Sequence, residues 1–569
     1  MTNIDVEFAK KTGSDVPEYQ RRIEELLSHY VEGKNVFIKP KDWNEPLLIK
    51  PESVDQEIPT EWLGLVEEVS GIIAKYKYGL DTYPNEIRKV DSEQMLALYA
   101  SVGLPRMYSH WSFGKSLDAS QKSYDAGQMG LAYEIVINSS PCISYCMTQN
   151  TKMMQILVIN HAAFGHNSFF KGNHLFRQFT KAEEILPEIE RISKYVAECE
   201  QRYGKDVVTS VLDAAHALQI HGVDKTTRPR KRTAEEEKAR REEIEEFLRT
   251  TYNPVMSSAG QARRPRSEFQ KGAHPYEDLE GEENLLYLIA TRAPHLEEWK
   301  RKLILDISYV AQYFYPQRQT QVMNEGWASF WHYTLTSDMY DLDLISDGMY
   351  LEFLQSHANV LYQAPMDARH YSGINPYKLG FEIYSDIKRI SENPTEEDRE
   401  WFPAFAGKGN WLEVIKEAMQ NYRDDDFVQQ FLSPRLIREM DFCTVEDNEG
   451  SDSYVIAEVG DQKGYHKIRA DLAEQYCLAN KIPCITAEKY FLRKDRTLEL
   501  EHRIYNGKPL HDSSVEKVMK YIYSLWGHPV VLHSVLGDGA DKETISTMGC
   551  PKIPKYIDRG HVFKEVALG

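Results

Sequence analysis

Apolar residues recur at three- and four-residue steps through most of the first 440 positions of this 569-residue chain. Such spacing places them along one side of a helix, as in the segment 61–78 (EWLGLVEEVSGIIAKYKY). The stretch 142–160 is apolar on all sides and predicts a buried helix that leads directly into a histidine-rich turn. The pattern therefore predicts a mainly helical N-terminal and central region, and the length predicts two or three domains.

The helical pattern is interrupted once and is later replaced. Residues 223–284 are highly charged and too poor in apolar residues to build a core, which predicts an exposed helical excursion or linker. A basic docking site for a partner is the alternative interpretation of this segment. The excursion separates two helical halves, 1–222 and 285–440.

Beyond residue 440, short segments with β character alternate with segments of helical spacing. The β-like segments are 454–459, 498–505 and 529–535, and the helical ones are 468–480 and 513–525. They predict a small α+β domain at 441–569.

Composition narrows the classes of function and compartment. The net charge of -19 argues against broad nucleic-acid binding, because a phosphate backbone would be repelled except at a local basic patch. No run of 18 apolar residues predicts a membrane span, and the N-terminal residues lack the apolar stretch of a secretory signal. Seven cysteines are few and odd in number, which favours a reducing compartment. We expect a cytoplasmic protein.

Histidines and carboxylates concentrate beside aromatic residues in three clusters. They are 160–174 (NHAAFGHNSFFKGNH) with His161, His166 and His174; 324–332 (NEGWASFWH) with Glu325 and His332; and 367–380 (DARHYSGINPYKLG) with Asp367, His370, Tyr371, Tyr377 and Lys378. Outside these clusters, His110 and Glu134 are single residues in aromatic or apolar surroundings, where a purely structural role is the simpler interpretation. Cys142 and Cys146 share one side of the predicted helix and are expected to be core residues.

The second cluster is geometrically the most informative. At about 100° per residue, the seven steps from Glu325 to His332 bring the two side chains to within about 20° of the same direction. Ala328 and Ser329 lie between them and, being small, leave room for another group to approach. Trp327 and Trp331 flank the pair and would exclude water. Imidazole and carboxylate together suit Zn, Fe or Mn. Alternatively, Glu325 and His332 simply satisfy each other in the core, since a buried carboxylate needs a partner.

The spacing of the first cluster is less direct. His161 and His166 are five residues apart, so on a regular helix their directions differ by about 140°. A kink would bring them together, and Gly165 permits one. Each histidine also has a simpler interpretation as a core or capping residue.

Three long segments resemble the SpoVR family (stage V sporulation protein R-like proteins). They are NHAAFGHNSFFKGNH, QYFYPQRQTQVMNEGWASFWHYT and HYSGINPYKLGFEIYSDIKR, and the likeness runs from about residue 17 to the end of the chain. The resemblance implies a bacterial protein of a family tied to spore cortex formation but also present in bacteria that never sporulate. It further implies a PrkA-type serine protein kinase and a von Willebrand A-type protein as possible partners.

A more distant resemblance, to zinc peptidases with a His-Glu-x-x-x-His helix and a later Glu-Gly-Trp-Ala segment, bears on mechanism. His161 and His166 have the histidine spacing of that pattern, and Glu325-Gly-Trp-Ala follows downstream, as does a Tyr377-Lys-x-Gly element. The resemblance implies a zinc-peptidase-like helical core with zinc or another divalent metal held by His161, His166 and Glu325. The chain departs from the pattern at Ala162, which stands where the water-activating glutamate would be.

Three functional hypotheses remain open. The first is a metal-dependent hydrolase of peptide-like bonds in cell-envelope or spore-cortex processes, such as those of peptidoglycan. In it, Glu134 or His332 serves as acid/base or as a further ligand or supporting group, and Tyr377 stabilises an oxyanion. The second is a non-catalytic adaptor among the kinase-linked partners. The third is a di-metal oxidase, although the paired Glu-x-x-His spacing typical of such helical bundles is missing.

Overall fold

A computed structural model describes most of the chain. The described residues are 16–32, 58–101, 104, 108–125, 134–226, 282–365, 371, 373–446, 455–458, 462–487, 496–504, 507–536 and 541–549. Residues 227–281, which include most of the predicted charged excursion, lie outside this set. Within the described residues, none of the helices combines the length and apolar character that a membrane crossing requires.

The chain folds into two compact units, each discontinuous in sequence. One comprises Met1–Thr209 with Gln312–Ile482, and the other Ser210–Ala311 with Pro483–Gly569. Because the two parts of each unit are far apart in the chain, periodicity along the sequence does not reveal the grouping. The division of the sequence into 1–222, 223–284, 285–440 and 441–569 stays a prediction.

Helices make up most of the described residues up to position 482. They are α1 Glu18–Glu32, α2 Thr60–Ile72, α3 Ser92–Ala100, α4 Trp111–Asp125, α5 Lys152–Ile159, α6 Asn167–Gly172, α7 His174–Phe179, α8 Ile185–Tyr203, α9 Lys205–Ala217, α10 Leu285–Arg292, α11 Glu298–Tyr313, α12 Gln321–Asp341, α13 Asp347–Val360, α14 Pro376–Glu392, α15 Glu396–Trp401, α16 Trp411–Asn421, α17 Asp424–Phe431, α18 Pro434–Glu439, α19 Gln462–Tyr476 and α20 Leu478–Lys481. Two π-helices, Ile73–Lys77 and Asn160–His166, continue α2 and α5. Short 3₁₀ turns occupy Gln219–His221 and Gln317–Gln319.

The first unit also contains two small sheets. Strands β1 Asn85–Val90, β2 Glu134–Ile137 and β3 Cys142–Met147 form a sheet in the order β1-β3-β2. β1 runs parallel to the central strand β3, and β2 runs antiparallel to it with Glu134 opposite Cys146. A two-stranded antiparallel sheet joins β4 Thr444–Glu446 to β5 Val455–Glu458. β2 therefore forms one edge of the larger sheet.

The sheet corrects one sequence prediction. Cys142–Met147 is a fully buried strand, and α5 begins only at Lys152 after Thr151, whose side chain accepts a hydrogen bond from the Met154 N–H. The prediction of one long helix from 142 to 160 is wrong in its first part, and the two cysteines are buried strand residues. A short run that is apolar on all sides fits a central strand and a buried helix equally well.

The second unit contains a four-stranded sheet in the order β6-β7-β8-β9. Its strands are β6 Cys484–Ala487, β7 Leu498–Ile504, β8 Val530–Leu536 and β9 Asp541–Met548. β7 and β8 are parallel, so the chain must cross over between them, and helix α21, Asp512–Trp526, lies in that connection. The prediction of a mainly helical N-terminal and central region followed by a small α+β C-terminal domain is confirmed.

Helix α12 is the central element of the first unit. It packs closely against the π-helix Asn160–His166 at Gly165, where an added Cβ would lie 2.5 Å from the Cα of Ala328. It packs as closely on α14, where a Cβ on Gly326 would lie 2.3 Å from the backbone of Gly380. Trp327 and Trp331 of α12 are fully buried. The space beside Ala328, where the sequence suggested room for an approaching group, is therefore occupied by the backbone of the π-helix.

The N-terminus of α12 is held by a carboxylate from another helix. Thr320 makes no side-chain cap, and Asp424 instead accepts hydrogen bonds from the Val322 and Met323 N–H groups at 3.0 and 2.9 Å. Asp424 is buried, and burial raises the pKa of its carboxyl to about 7 despite the two backbone bonds. The bonds satisfy two N–H groups that would otherwise have no partner inside the protein.

The close approach at Gly165 gives a stability test. Gly165→Ala adds a Cβ that must displace the α12 backbone, so we expect the free energy of unfolding to fall by about 1–3 kcal/mol. Urea unfolding followed by circular dichroism measures it. Gly64→Ala in α2 is the matched control, because its Cβ meets nothing within 4 Å and should stabilise the helix by up to about 1 kcal/mol. Equal stability of both variants would contradict the close packing.

Candidate metal centre

The π-helix Asn160–His166 brings the two histidines of the first cluster together. The Asn167 N–H bonds to the Ala162 carbonyl, five residues back, instead of four. This i→i+5 pattern stacks residues five apart on one side, and the His161 and His166 rings lie with centroids 4.6 Å apart. The helix thus widens where the sequence suggested a kink at Gly165. A local π-helix cannot be read from apolar periodicity.

Glu325 and His332 contact opposite nitrogens of one imidazole. His161 Nε2 lies 3.6 Å from Glu325 Oε2, and His161 Nδ1 lies 3.0 Å from His332 Nδ1. The two residues are about 10.5 Å apart along α12, so the His161 ring fits between them. As the spacing predicts, Glu325 and His332 lie on the same side of α12. His332, however, contacts the nitrogen of His161 that is turned away from Glu325.

Three donor atoms converge beside the π-helix. Ligand atoms of His161, His166 and Glu325 all lie within 4.8 Å of one another, and His166 Nε2 is 3.4 Å from Glu325 Oε2. Ligand atoms about 2.0–2.1 Å from a tetrahedral zinc ion lie about 3.3–3.4 Å apart, close to the 3.6 and 3.4 Å that separate Glu325 Oε2 from the Nε2 atoms of His161 and His166. Among the described residues, Glu325 Oε2 is buried without a hydrogen-bond partner. The donor set and this unpartnered oxygen fit a divalent cation.

Charge is distributed unevenly over this group. Burial alone would raise the pKa of Glu325, but the charge of His166 and the close contacts with both histidines hold it well below its usual range. Burial opposes the charged form of His166, yet the charge of the nearby Glu325 and the hydrogen bond to Asn324 raise its pKa. The Glu325 carboxylate therefore favours the protonated form of His166, and a cation would compete with that proton.

Glu134 approaches the same group from the sheet. It is the first residue of the edge strand β2, and its Oε1 lies 3.8 Å from His161 Nε2. Burial raises its pKa, as does the nearby Glu325, while His161 and His166 act in the opposite direction. Glu134 thus keeps a proton more readily than an ordinary glutamate, which suits a group that transfers a proton.

Tyr377 lies near the start of α14, whose first turn is capped by Asn375. Its ring stacks on His161 with centroids 6.2 Å apart and planes at 19°. The negative charge of Glu325, then burial, raise the pKa of the phenol far above its usual value. Tyr377 therefore stays a hydrogen-bond donor at the centre.

Two further residues at the centre were not found from the sequence. Asn324 places its Oδ1 2.9 Å from His166 Nδ1, which orients that ring with Nε2 toward Glu325. His357 of α13 places its Nδ1 2.7 Å from His332 Nε2. Asn324 adjoins Glu325 in the second cluster and could have been found by asking what orients a ligand histidine. His357 is an isolated histidine in an amphipathic helix and gave no signal.

Other candidates lie elsewhere. His174 is half-exposed and its Nδ1 contacts the Gln420 carbonyl, while His110 is buried beside Ser112. Neither belongs to the three-donor group. Asp367 and His370 lie outside the described residues. Within the part of the chain that the structure describes, one group of three metal-ligand type side chains is found.

An apolar cleft runs along β2 next to the centre. Its volume is about 280 Å³, and it is lined by Tyr99, Leu104, Ile135, Val136, Ile137, Tyr313, Phe314 and Gln317. Three of these residues follow Glu134 directly in the strand. Tyr99 also contributes to the raised pKa of Tyr377, after Glu325, burial and Glu134, so the cleft and the centre are adjacent.

With the fold and site described, comparisons with known proteins identify the family. A family model described as SpoVR like protein matches residues 61–481, and a second, described as SpoVR-like C-terminal domain, matches residues 483–537. The chain belongs to the SpoVR-like protein family. A relative, Uncharacterized protein YcgB of Escherichia coli (strain K12), is 46% identical over 463 residues, 81% of this chain and 90% of that protein. No solved structure matches.

All of the residues that converge on the centre from the π-helix and α12 lie inside the first SpoVR-like match. The family resemblance carried by the three long segments is therefore confirmed. The likeness to zinc peptidases has no counterpart among these comparisons and stays a hypothesis.

Proposed function

We propose that this protein is a cytoplasmic, hydrolase-like metalloprotein that acts on peptide-like bonds in cell-envelope or spore-cortex processes. His161, His166 and Glu325 would hold one divalent ion, with zinc the first candidate. The observation that carries the proposal is that these three side chains bring their possible ligand atoms together, and that one of the atoms, a buried oxygen of Glu325, lacks a hydrogen-bond partner. Two imidazoles and a carboxylate are a common ligand set of catalytic zinc sites, which leave a further position open.

The remaining polar groups support roles around such an ion. When bound, the ion would supply Lewis-acid polarisation of a carbonyl group. Glu134, with its raised pKa, would carry a proton to or from the reacting group. Tyr377, which stays protonated, would donate a hydrogen bond to an oxygen that gains negative charge. The cleft along β2 would receive the apolar part of a substrate.

The substrate class rests on analogy. Peptide-like bonds follow from the likeness of the His161, His166 and Glu325 pattern to zinc peptidases, and the cell-envelope setting follows from the SpoVR family. Ala162 occupies the position of the usual glutamate base in that pattern, so Glu134 would have to replace it.

One observation favours a second candidate, a regulatory adaptor that binds metal without hydrolysis and works with a PrkA-type kinase and a von Willebrand A-type protein. The observation is the alanine at position 162, because a metal site without its usual glutamate base suits a structural or sensing role. The two candidates share the ion and differ in turnover.

The metal site is tested first by stoichiometry. Full-length protein stripped with chelator and then supplied with zinc is expected to retain one equivalent by plasma mass spectrometry. His166→Ala and Glu325→Ala should each lose the bound zinc, because only two of the three protein ligands remain. His174→Ala is the matched control from the same histidine-rich segment and should retain one equivalent. The proposed site would be contradicted if folded wild type binds no zinc, or if the folded His166→Ala and Glu325→Ala variants retain it.

The affinity should also depend on pH. Because the pKa of His166 is raised in the metal-free protein, the ion must displace a proton that His166 holds at higher pH than an ordinary histidine. The zinc dissociation constant should therefore increase as the pH falls from 8 to 6, at about tenfold per proton displaced per pH unit at most. Competition with a chromophoric chelator at each pH measures it. An affinity independent of pH over this range would contradict proton competition at His166.

Hydrolysis is tested with zinc-loaded protein and pools of quenched fluorescent peptides, including peptidoglycan stem peptides. Cleavage is expected in wild type, and Glu134→Gln should lower kcat by about 100-fold or more while zinc content stays at one equivalent. Tyr377→Phe keeps the ring that stacks on His161 and should also lower kcat by about 100-fold.

Glu382→Gln is the control for the Glu134 variant. Glu382 lies in α14, and burial also raises its pKa, but the charges that act on it are those of Lys378, Glu439, Asp386 and Arg435 and not those of the three ligands. Its variant should turn over like wild type. Loaded wild type that cleaves no peptide would exclude the hydrolase and leave the adaptor as the better explanation of the ion.

A further inference from the structure

Three imidazoles form a continuous row that starts at the candidate centre. His161 Nδ1 lies 3.0 Å from His332 Nδ1, and His332 Nε2 lies 2.7 Å from His357 Nδ1. All three residues are buried, with exposed fractions of 3%, 0% and 7%. The three come from the π-helix and from the consecutive helices α12 and α13, so the row joins the π-helix to a helix pair that begins more than 150 residues later in the chain.

The surroundings of the row favour neutral rings. His332 packs edge-on against Phe353, and His357 packs against Tyr333 and Phe381. Among the described residues, neither His332 nor His357 forms an ion pair with a carboxylate. An isolated charge among aromatic rings is costly, so a neutral chain of imidazoles is the stable arrangement.

Neutral rings in such a row cannot choose their tautomers independently. Each neutral imidazole has one N–H donor and one acceptor nitrogen, and each contact needs one of each. The row therefore has two polarities. In one, His161 Nδ1–H donates to His332, and His332 Nε2–H donates to His357. In the other, both hydrogen bonds run in the opposite direction.

The two polarities differ at the centre. In the first, the lone pair of His161 Nε2 is free to bind an ion beside Glu325. In the second, His161 Nε2 carries the hydrogen and faces Glu325 Oε2 at 3.6 Å, which suits an ion-free carboxylate but blocks coordination. Because the bonds are linked, the polarity that binds an ion also puts the hydrogen of His357 on its Nε2.

We propose that His332 and His357 are positioning residues that hold His161 in its ligating tautomer, and that binding of a divalent ion selects one polarity of the imidazole row. The inference rests on the proposed metal centre and assigns a role to His357, which is not one of the proposed metal ligands. When the polarity changes to the one that binds an ion, His161 Nε2 releases one proton, one hydrogen moves across each of the two hydrogen bonds toward His161, and His357 Nε2 takes up one proton. The row therefore links the centre to α13 with no net change in the number of protons that the three rings hold.

The test measures zinc affinity of the full-length protein by competition with a chromophoric chelator. His332→Phe keeps an aromatic ring but removes the acceptor for His161 Nδ1–H, and loss of such a partner weakens binding by about 10- to 100-fold. His332→Asn restores an acceptor oxygen near the Nδ1 position and should recover most of the affinity. His357→Phe should weaken binding less than His332→Phe, and His357→Asn should recover it. His174→Phe is the control and should bind like wild type.

A spectroscopic measurement separates positioning from a general loss of structure. Cobalt-loaded wild type should show the visible bands of a four-coordinate ion, and His332→Phe should change their energy or intensity, whereas His332→Asn should restore them. If His332→Phe does not fold, the His357→Phe and His357→Asn pair decides by the same two measurements.

The outcomes distinguish the two levels of the proposal. In one outcome, wild type binds zinc, and the folded His332→Phe and His357→Phe variants have unchanged affinity and an unchanged cobalt spectrum. This outcome overturns the imidazole row but leaves the metal site intact. Loss of affinity that neither asparagine variant restores also overturns it, because packing and not hydrogen bonding would then be responsible. Wild type that binds no divalent ion overturns the row together with the proposed function.

Discussion

The contact between the backbones of the π-helix and α12 at Gly165 and Ala328 is the constraint on which the centre depends. With a Cβ at position 165 the two segments could not approach this closely. At this separation, side chains from the π-helix reach across to α12, where His161 meets both Glu325 and His332, and Asn160 donates to Thr336 at 3.0 Å. A wider gap would separate the nitrogen ligands from the carboxylate.

Two tight supports fix α12 in that position. Gly326 and Gly380 let α14 lie directly against it, which also brings Tyr377 to the His161 ring. Asp424 closes its N-terminus by accepting from two backbone N–H groups that have no partner within the helix. The helix that carries Glu325 is thus held at its start and along its length by contacts that leave little freedom to shift. Such rigidity is what a preorganised ligand set requires.

Much of this arrangement could be predicted from the sequence, and the failures have physical causes. Glu325 and His332 share one side of a regular helix, so spacing alone pairs them. His161 and His166 are brought together by a widened turn, which no apolar pattern encodes. The pattern of Cys142–Met147 predicts helix wrongly because a strand buried on both faces has no alternation to distinguish it. The role of His357 depends on tertiary packing of α13 alone.

The two carboxylates at the candidate centre differ in the protonation state that their surroundings favour. Glu325 is held in its charged form by the histidines, whereas burial and the charge of Glu325 favour the protonated form of Glu134. Carboxylates pushed in opposite directions by their surroundings are suited to different tasks, one to hold charge and one to move a proton. Glu134 reaches His161 from a strand instead of from the helix that carries the histidines. A base that approaches from the strand does not require a glutamate at position 162. Alanine at that position is therefore compatible with catalysis as well as with its loss.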